Sequence, residues 1–286
     1  MTSIIINGAC GKMGHMLAET AAQQGIDVVA GVDRYAAGAK AYYPLYENIN
    51  DCKLSADVVV DFSRPDALHD LLSYCVQRGM GIVLATTGYG PDDLEAIVQA
   101  AKVIPVFKTA NMSVGVNVML DLVRKAAAAL PEFDIEIVEK HHNLKVDAPS
   151  GTALLLADAM KEVCLTDKEY VFGRHTKSQR RSREEIGIHA LRGGTVTGEH
   201  EVYFFGGDET VTIAHQAASR RIFAIGALKA ARFLRGRKPG LYDMQDVLLE
   251  ESGVTSLYLD GTQAMLTLRG LPVGELPARV FEKLAD

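Results

Sequence analysis

Through the first 108 residues, short apolar runs alternate with amphipathic stretches. Residues 3–7, 26–32, 58–62, 82–85 and 104–108 are β-rich and mostly apolar, the pattern of strands buried on both faces. Residues 11–24, 65–78 and 91–102 carry helical periodicity between them. Pro65 and Pro91 open two of these helices, at a position where the missing N–H costs nothing. This βαβ rhythm predicts an α/β chain with a doubly wound parallel sheet.

The pattern changes after about residue 110. Residues 114–130 predict one long helix. In 133–140, Ile135, Ile137 and Glu139 alternate with Glu136, Val138 and Lys140, the period of a strand. A helix over 152–165 and a polar stretch over 166–185 follow. Residues 186–191, 195–205 and 209–216 then read as consecutive strands, which predicts an α+β unit with a mixed, mostly antiparallel sheet. A helix over 222–235, stopped by Gly236 and Pro239, is expected to return to the first sheet. The expected division is therefore 1–112 completed by 221–250, then 113–220, then an extension over 251–286 that reads as two strands and a short helix.

Composition narrows the classes. The chain has 286 residues, 48% of them hydrophobic and 23% charged, which suits a packed core. Thirty basic against 36 acidic side chains give a formal charge of -6, so nucleic acid is not an expected partner. Cys10, Cys52, Cys75 and Cys164 are scattered without CxxC spacing, which fits a reducing cytoplasm and no disulfide framework. No basic segment precedes the apolar Ile4–Ile6, so no secretory leader is expected. No apolar run approaches membrane-spanning length.

The first predicted strand runs into Gly8, Ala9, Cys10, Gly11, Lys12, Met13 and Gly14, a GxxGxxG turn between a strand and a helix. Glycine allows the tight turn and lets backbone N–H groups approach a pyrophosphate at the helix N-terminus. The second strand ends at Asp33 and Arg34. An acid there accepts from a ribose diol and favours NADH, whereas the arginine suits the 2′-phosphate of NADPH, so the pair suggests use of either. Ala85, Thr86 and Thr87 follow one later strand, and Ala110, Asn111, Met112 and Ser113 another. Strand C-termini are where such sheets bind ligands. A glycine turn that binds nothing, and hydroxyl residues that only cap helices, are the alternatives.

Residues 139–153 leave a strand, cross a polar loop and open a helix. His141, His142, Lys145 and Asp147 precede the helix start Pro149, Ser150, Gly151, Thr152. Free N–H groups there favour an anion, Gly151 permits close approach, and Thr152, His142 and Lys145 add donors. This describes a site for a carboxylate or phosphate, and Arg220 can grip a second carboxylate bidentately. Taken singly, Ser150 reads equally as an N-cap, the histidines as solvated strand-end residues and Lys145 as a surface charge. Two adjacent histidines without spaced Cys or acid ligands match no common metal pattern, and Ser150 lacks the GxSxG elbow of a hydrolase.

Residues 139–153 closely resemble the E-x-H-H-x-x-K-x-D-A-P-S-G-T-A signature of the dihydrodipicolinate reductase family. Residues 60–65, 86–88, 111–117, 198–200, 219–220 and 240–244 resemble further motifs of that family in its order, so the likeness covers about residues 1–250. The resemblance implies a Rossmann-type dinucleotide domain, a substrate domain and a homotetramer formed through the second sheet. It implies NAD(P)H-dependent reduction of 4-hydroxy-tetrahydrodipicolinate, by way of dihydrodipicolinate, to tetrahydrodipicolinate in lysine and diaminopimelate biosynthesis. By the same likeness His141 is the proton donor or acceptor and Lys145 a proton donor, while His142, Gly151 and Thr152 hold the substrate. Residues 8–13, 33–34, 85–87 and 110–113 would surround the cofactor. Ala85 stands where the family usually has glycine, and residues 251–286 lie beyond its usual end. Two rival readings are another dehydrogenase of the same fold acting on an amino acid or aldehyde, and a dinucleotide sensor without turnover.

Overall fold

The computed structural model describes residues 1–175 and 177–251, together with the backbone of 254–260 and 263–268. The first part alternates β1 (Ser3–Asn7), α1 (Lys12–Gln23), β2 (Asp27–Val32), β3 (Leu45–Tyr46), β4 (Val58–Asp61), α2 (Leu68–Arg78), β5 (Gly81–Leu84), α3 (Pro91–Ala101) and β6 (Pro105–Lys108). The chain continues through α4 (Val114–Ala129), β7 (Asp134–His141), α5 (Gly151–Lys161), β8 (Glu169–Phe172), β9 (Glu185–Arg192), β10 (Glu199–Phe205) and β11 (Thr210–Gln216). It returns with α6 (Arg221–Leu234), β12 (Gly240–Tyr242) and α7 (Met244–Glu251), and then the antiparallel hairpin β13 (Val254–Asp260) and β14 (Gln263–Leu268).

The seven strands β12-β6-β5-β4-β1-β2-β3 form one sheet with every neighbouring pair parallel. Its apolar runs feed two cores at once, because successive side chains point to opposite faces. Ile4, Ile6, Val58, Val60, Val83 and Phe107 pack under α1 and α6. Ile5, Val59, Ile82, Leu84 and Val106 pack under α2 and α3. The late helix therefore does return to the first sheet, through Ala224, Ala227, Leu228, Ala231 and Leu234.

The second sheet runs β11-β10-β7-β9-β8. Ile135, Ile137, Ile186, Ile188, Val202 and Phe204 face α4 and α5. Glu139 takes its turn on that inward face and is buried. The opposite face carries Glu136, Lys140, Tyr203 and the exposed Leu191 and Phe205, with no helix over it among the described residues.

Several expectations are refined. The stretch over 166–185 contains a strand, β8, whose four residues are too few to show a period. The second sheet is evenly split, with β7–β9 and β8–β9 parallel and β10–β7 and β10–β11 antiparallel. Sequence order suggested otherwise because β9 and β10, although consecutive, lie on either side of β7. Helix α5 ends at Lys161 rather than 165, where the N–H groups of Val163 and Cys164 both turn back to the Met160 carbonyl. The edge strands β3 and β12, of two and three residues, and the eight-residue helix α7 are too short to show a period in the sequence. The short helix expected near the C-terminus lies outside the described residues.

Candidate active site

The turn after β1 is built for close approach. Gly8 has φ +80, and a Cβ there would stand 2.7 Å from the Phe62 carbonyl oxygen. A Cβ on Gly14 would stand 2.2 Å from the Gly8 carbonyl oxygen, so α1 can begin this near the turn only with glycine. Gly11 is the N-cap and brings no side-chain acceptor, which leaves the first-turn N–H groups of α1 to an outside anion. Ala9 is buried beneath the turn, Met13 packs on the first core and Lys12 is exposed. Asp33 accepts from the N–H groups of Cys10 and Tyr35, both at 3.0 Å, and so ties the end of β2 to the glycine turn. Arg34 turns away to Asp66 at 2.9 Å. Gly8, Cys10, Gly11, Asp33, Arg34 and Ser63 are among the residues around a cavity of about 370 Å³.

Asp61, fully buried at the end of β4, joins three strand ends: it accepts from Asn7 Nδ2 at 2.8 Å, Ser63 Oγ at 2.6 Å and Thr86 Oγ1 at 2.8 Å. Ala85 is half-buried against the first core and Thr87 is exposed. After β6, Ala110 is exposed and Met112 is buried. Ser113 caps α4 by accepting from the Val116 N–H at 3.3 Å. Asn111 accepts from the Ser113 N–H and donates from Nδ2 to Thr152 Oγ1 at 3.1 Å. The loop after β6 and the start of α5 thus meet, and Ala110, Asn111, Gly151 and Thr152 line one cavity of about 250 Å³. A Cβ on Gly151 would meet nothing within 4 Å, so this helix start is open.

Behind it lies a buried polar network. Glu139 takes both terminal nitrogens of Arg192, Nη2 on Oε1 at 2.7 Å and Nη1 on Oε2 at 2.8 Å. Its Oε1 also accepts from the Ser150 N–H at 3.0 Å, and its Oε2 lies 2.6 Å from His141 Nδ1. Burial works against the charge of Glu139, but the hydrogen bonds from Arg192, His141 and Ser150 outweigh it and hold the carboxyl below its usual range. Burial pulls the His141 pKa down; Glu139 opposes that shift, whereas Lys145 and Arg192 add to it. His200 sits edge-on to His141 with ring centres 5.3 Å apart, and its Nε2 is 3.0 Å from Ser150 Oγ. Burial first, and then the neighbouring His141, push His200 down to about 4.

The remaining predicted residues sit as follows. Ser150 is buried and caps α5 by accepting from the Ala153 N–H, so its side chain serves the helix and His200. Lys145 Nζ lies 2.8 Å from Asp147 Oδ1. His142 is half-buried, and its carbonyl accepts from the Lys145 N–H. Arg220 is exposed at the N-cap of α6. Asp61, Glu139 and His200 lie within motifs that resemble the family but carry no assigned role there, and Arg192 lies outside every such motif. The inward register of Glu139 is a further signal, since a carboxylate on a core face needs partners. Among the described residues, no group of three or more His, Cys, Asp or Glu is arranged to hold a metal ion, and no helix is long and apolar enough to cross a membrane.

Residues 2–112 match the family described as dihydrodipicolinate reductase, N-terminus, and residues 115–248 match dihydrodipicolinate reductase, C-terminus. The chain belongs to the dihydrodipicolinate reductase family. A 4-hydroxy-tetrahydrodipicolinate reductase of Caldanaerobacter subterraneus subsp. tengcongensis is 50% identical over 249 residues, covering 87% of this chain and 98% of its own. One of Clostridium novyi is 47% identical over 250 residues, covering 87% and 98%. The solved dihydrodipicolinate reductase of Paenisporosarcina sp. TG-14, with dipicolinate bound, shares the fold at a TM-score of 0.73 and 24% identity, covering 85% of this chain and 97% of that one. The reaction is NAD(P)H-dependent reduction of 4-hydroxy-tetrahydrodipicolinate in lysine biosynthesis. The residues fit that cofactor: Gly11 caps α1 without a side-chain acceptor, which leaves the first-turn N–H groups available, and Gly11 and Asp33 both border the adjoining cavity.

Proposed function

We propose that reduction takes place where Asn111 meets Thr152, with the dinucleotide along the C-terminal ends of β1, β2, β5 and β6 and the ring dicarboxylate on the start of α5. The 3.1 Å hydrogen bond between these two residues carries the reading, because it sets the cofactor-side loop against an anion-favouring helix start. NAD(P)H supplies a hydride when bound. Gly8, Gly11 and the first turn of α1 hold its pyrophosphate, with Ala9, Lys12 and Met13 shaping the turn, and Asp33 takes the ribose hydroxyls. Residues 85–87 and 110–113 border the nicotinamide end. Gly151 and Thr152 grip one carboxylate of a ring such as the dipicolinate bound by the Paenisporosarcina enzyme, with His142 beside them and Arg220 closing on the other. Lys145 offers a positive charge and a proton as negative charge develops on the ring, and His141 handles the proton at Nε2. Ser150 contributes by capping and anchoring the helix start rather than by touching substrate.

Purified protein should oxidise NADH or NADPH only when the product of dihydrodipicolinate synthase is supplied. Oxidation on unrelated amino acids or aldehydes instead would overturn the substrate reading.

The division of labour follows the two sheets: 1–112 with 221–250 binds the dinucleotide, 113–220 binds substrate, and the two close over both ligands. X-ray scattering should show contraction only when both are present. The uncovered face of the second sheet, with Leu191 52% and Phe205 41% exposed, is the surface through which four copies assemble. Light scattering should give a tetramer, and Leu191→Glu with Phe205→Glu should dissociate it. The reducing cytoplasm suits Cys10, Cys52, Cys75 and Cys164, all of which are free thiols.

A further inference from the structure

The network behind His141 contains more than a helix anchor needs. Glu139 receives four N–H donors, two of them from Arg192, which stands 53 residues further along the chain on β9. With each oxygen already accepting from Arg192, the only complementary arrangement at His141 has hydrogen on Nδ1. The other ring nitrogen, Nε2, has no hydrogen-bond partner among the described residues and lies beside Gly198, where an added Cβ would stand 3.0 Å from it. The charged and titratable groups around this ring are Glu139 on its own strand, Arg192 on β9, His200 on β10, and Lys145 and Asp147 on the loop.

We propose that Glu139 and Arg192 are positioning residues for the reaction: Arg192 clamps the Glu139 carboxylate, and the clamped carboxylate holds His141 in the Nδ1–H form with Nε2 free for the reacting ring. This rests on the assignment of His141 as the proton-handling group. A carboxylate is required for it. In Glu139→Gln the amide must place its NH₂ at one of two oxygen positions, and at each it meets N–H donors. Setting the NH₂ toward His141 reverses the tautomer and puts the hydrogen on Nε2. Arg192 acts one step further out, through its two hydrogen bonds to Glu139, while its Nη2 also donates to the Asp147 carbonyl at 2.7 Å.

The test uses the full-length protein with ring-¹⁵N-labelled histidine, together with steady-state kinetics. In the unliganded wild type, the His141 resonances should report a protonated Nδ1. Glu139→Gln should shift them toward the Nε2–H form and lower kcat about 10- to 100-fold, a fraction of a full general acid–base contribution. The limb of the pH profile that reports His141 should move to lower pH, since the opposing negative charge is gone. KM for the dicarboxylate and Kd for NADH should stay within twofold. Arg192→Met should lower kcat about fivefold or more, with Arg192→Lys recovering part of the loss. These Arg192 variants also serve if Glu139→Gln fails to fold, because the Arg192 side chain lies partly at the surface. An unchanged tautomer, or a fall in kcat with neither tautomer nor pH profile moved, would overturn the proposal alone. A shifted tautomer with wild-type turnover would overturn the role of His141 and the proposal with it.

Discussion

Asn111 and Thr152 are joined by a 3.1 Å hydrogen bond between Nδ2 and Oγ1, although 41 positions separate them and they serve different sheets. Asn111 is itself fixed by the N–H of Ser113, the cap of α4, and Asn117 Nδ2 donates to the Asn111 carbonyl at 2.8 Å. The loop over 110–113 is therefore held by hydrogen bonds of its own where it meets the start of α5. Thr152→Val keeps the shape and removes the hydroxyl. It should lower kcat/KM for the dicarboxylate by about 10-fold, the size of one or two polar contacts, while calorimetry finds NADH binding within twofold of wild type.

Lys145 is kept in the loop by Asp147, whose carboxyl its ammonium holds below the usual range. On the proposed reading, Lys145→Ala removes both a cation and a proton source. Turnover should fall about 10²- to 10⁴-fold with NADH affinity nearly intact, measured by stopped-flow kinetics and fluorescence titration. Near-normal turnover would remove Lys145 from the chemistry.

Asp33 and Arg34 are adjacent, yet only Asp33 is tied to the glycine turn; Arg34 is drawn to Asp66 across an exposed gap. NADH should be the better cofactor, with NADPH accepted. Asp66→Ala frees Arg34 for a 2′-phosphate and should raise kcat/KM with NADPH about two- to fivefold, the scale of an exposed ion pair, while leaving NADH kinetics unchanged. Parallel assays with both cofactors decide this.

His200 is buried in its neutral form at about 4, against about 6.5 in an unfolded chain. The unfolded state binds more protons between those values, so stability is full above pH 6.5 and falls as the pH drops toward 4. The contribution is about 3 kcal/mol at most. Urea unfolding of the wild type and of His200→Asn, at several pH values across that window, should show a shallower pH dependence in the variant. Equal slopes would show that His200 is not the group responsible.

Gly198 stands against His141 Nε2. Gly198→Ala would place its methyl over that nitrogen and should depress kcat about 10-fold or more without changing the cofactor Kd, since blocking the ring nitrogen removes the proton-transfer contribution alone. Kinetics and NADH titration of the same preparation are the check.

Much of this molecule was legible from local pattern. The apolar runs specified strands buried on both faces, because each residue of a parallel strand must meet one of two cores. The glycine turn and Asp33 followed from what a tight strand-to-helix corner requires. The alternation through β7 even puts Glu139 on the inward face. Periodicity states which face a side chain occupies and nothing about what faces it. That Arg192 closes on Glu139, that His200 meets Ser150 from 50 positions away, and that β9 lies on the far side of β7 from β10 are all choices of partner. They depend on how distant segments pack, and a buried carboxylate finds its cation only after the sheet that carries both has assembled.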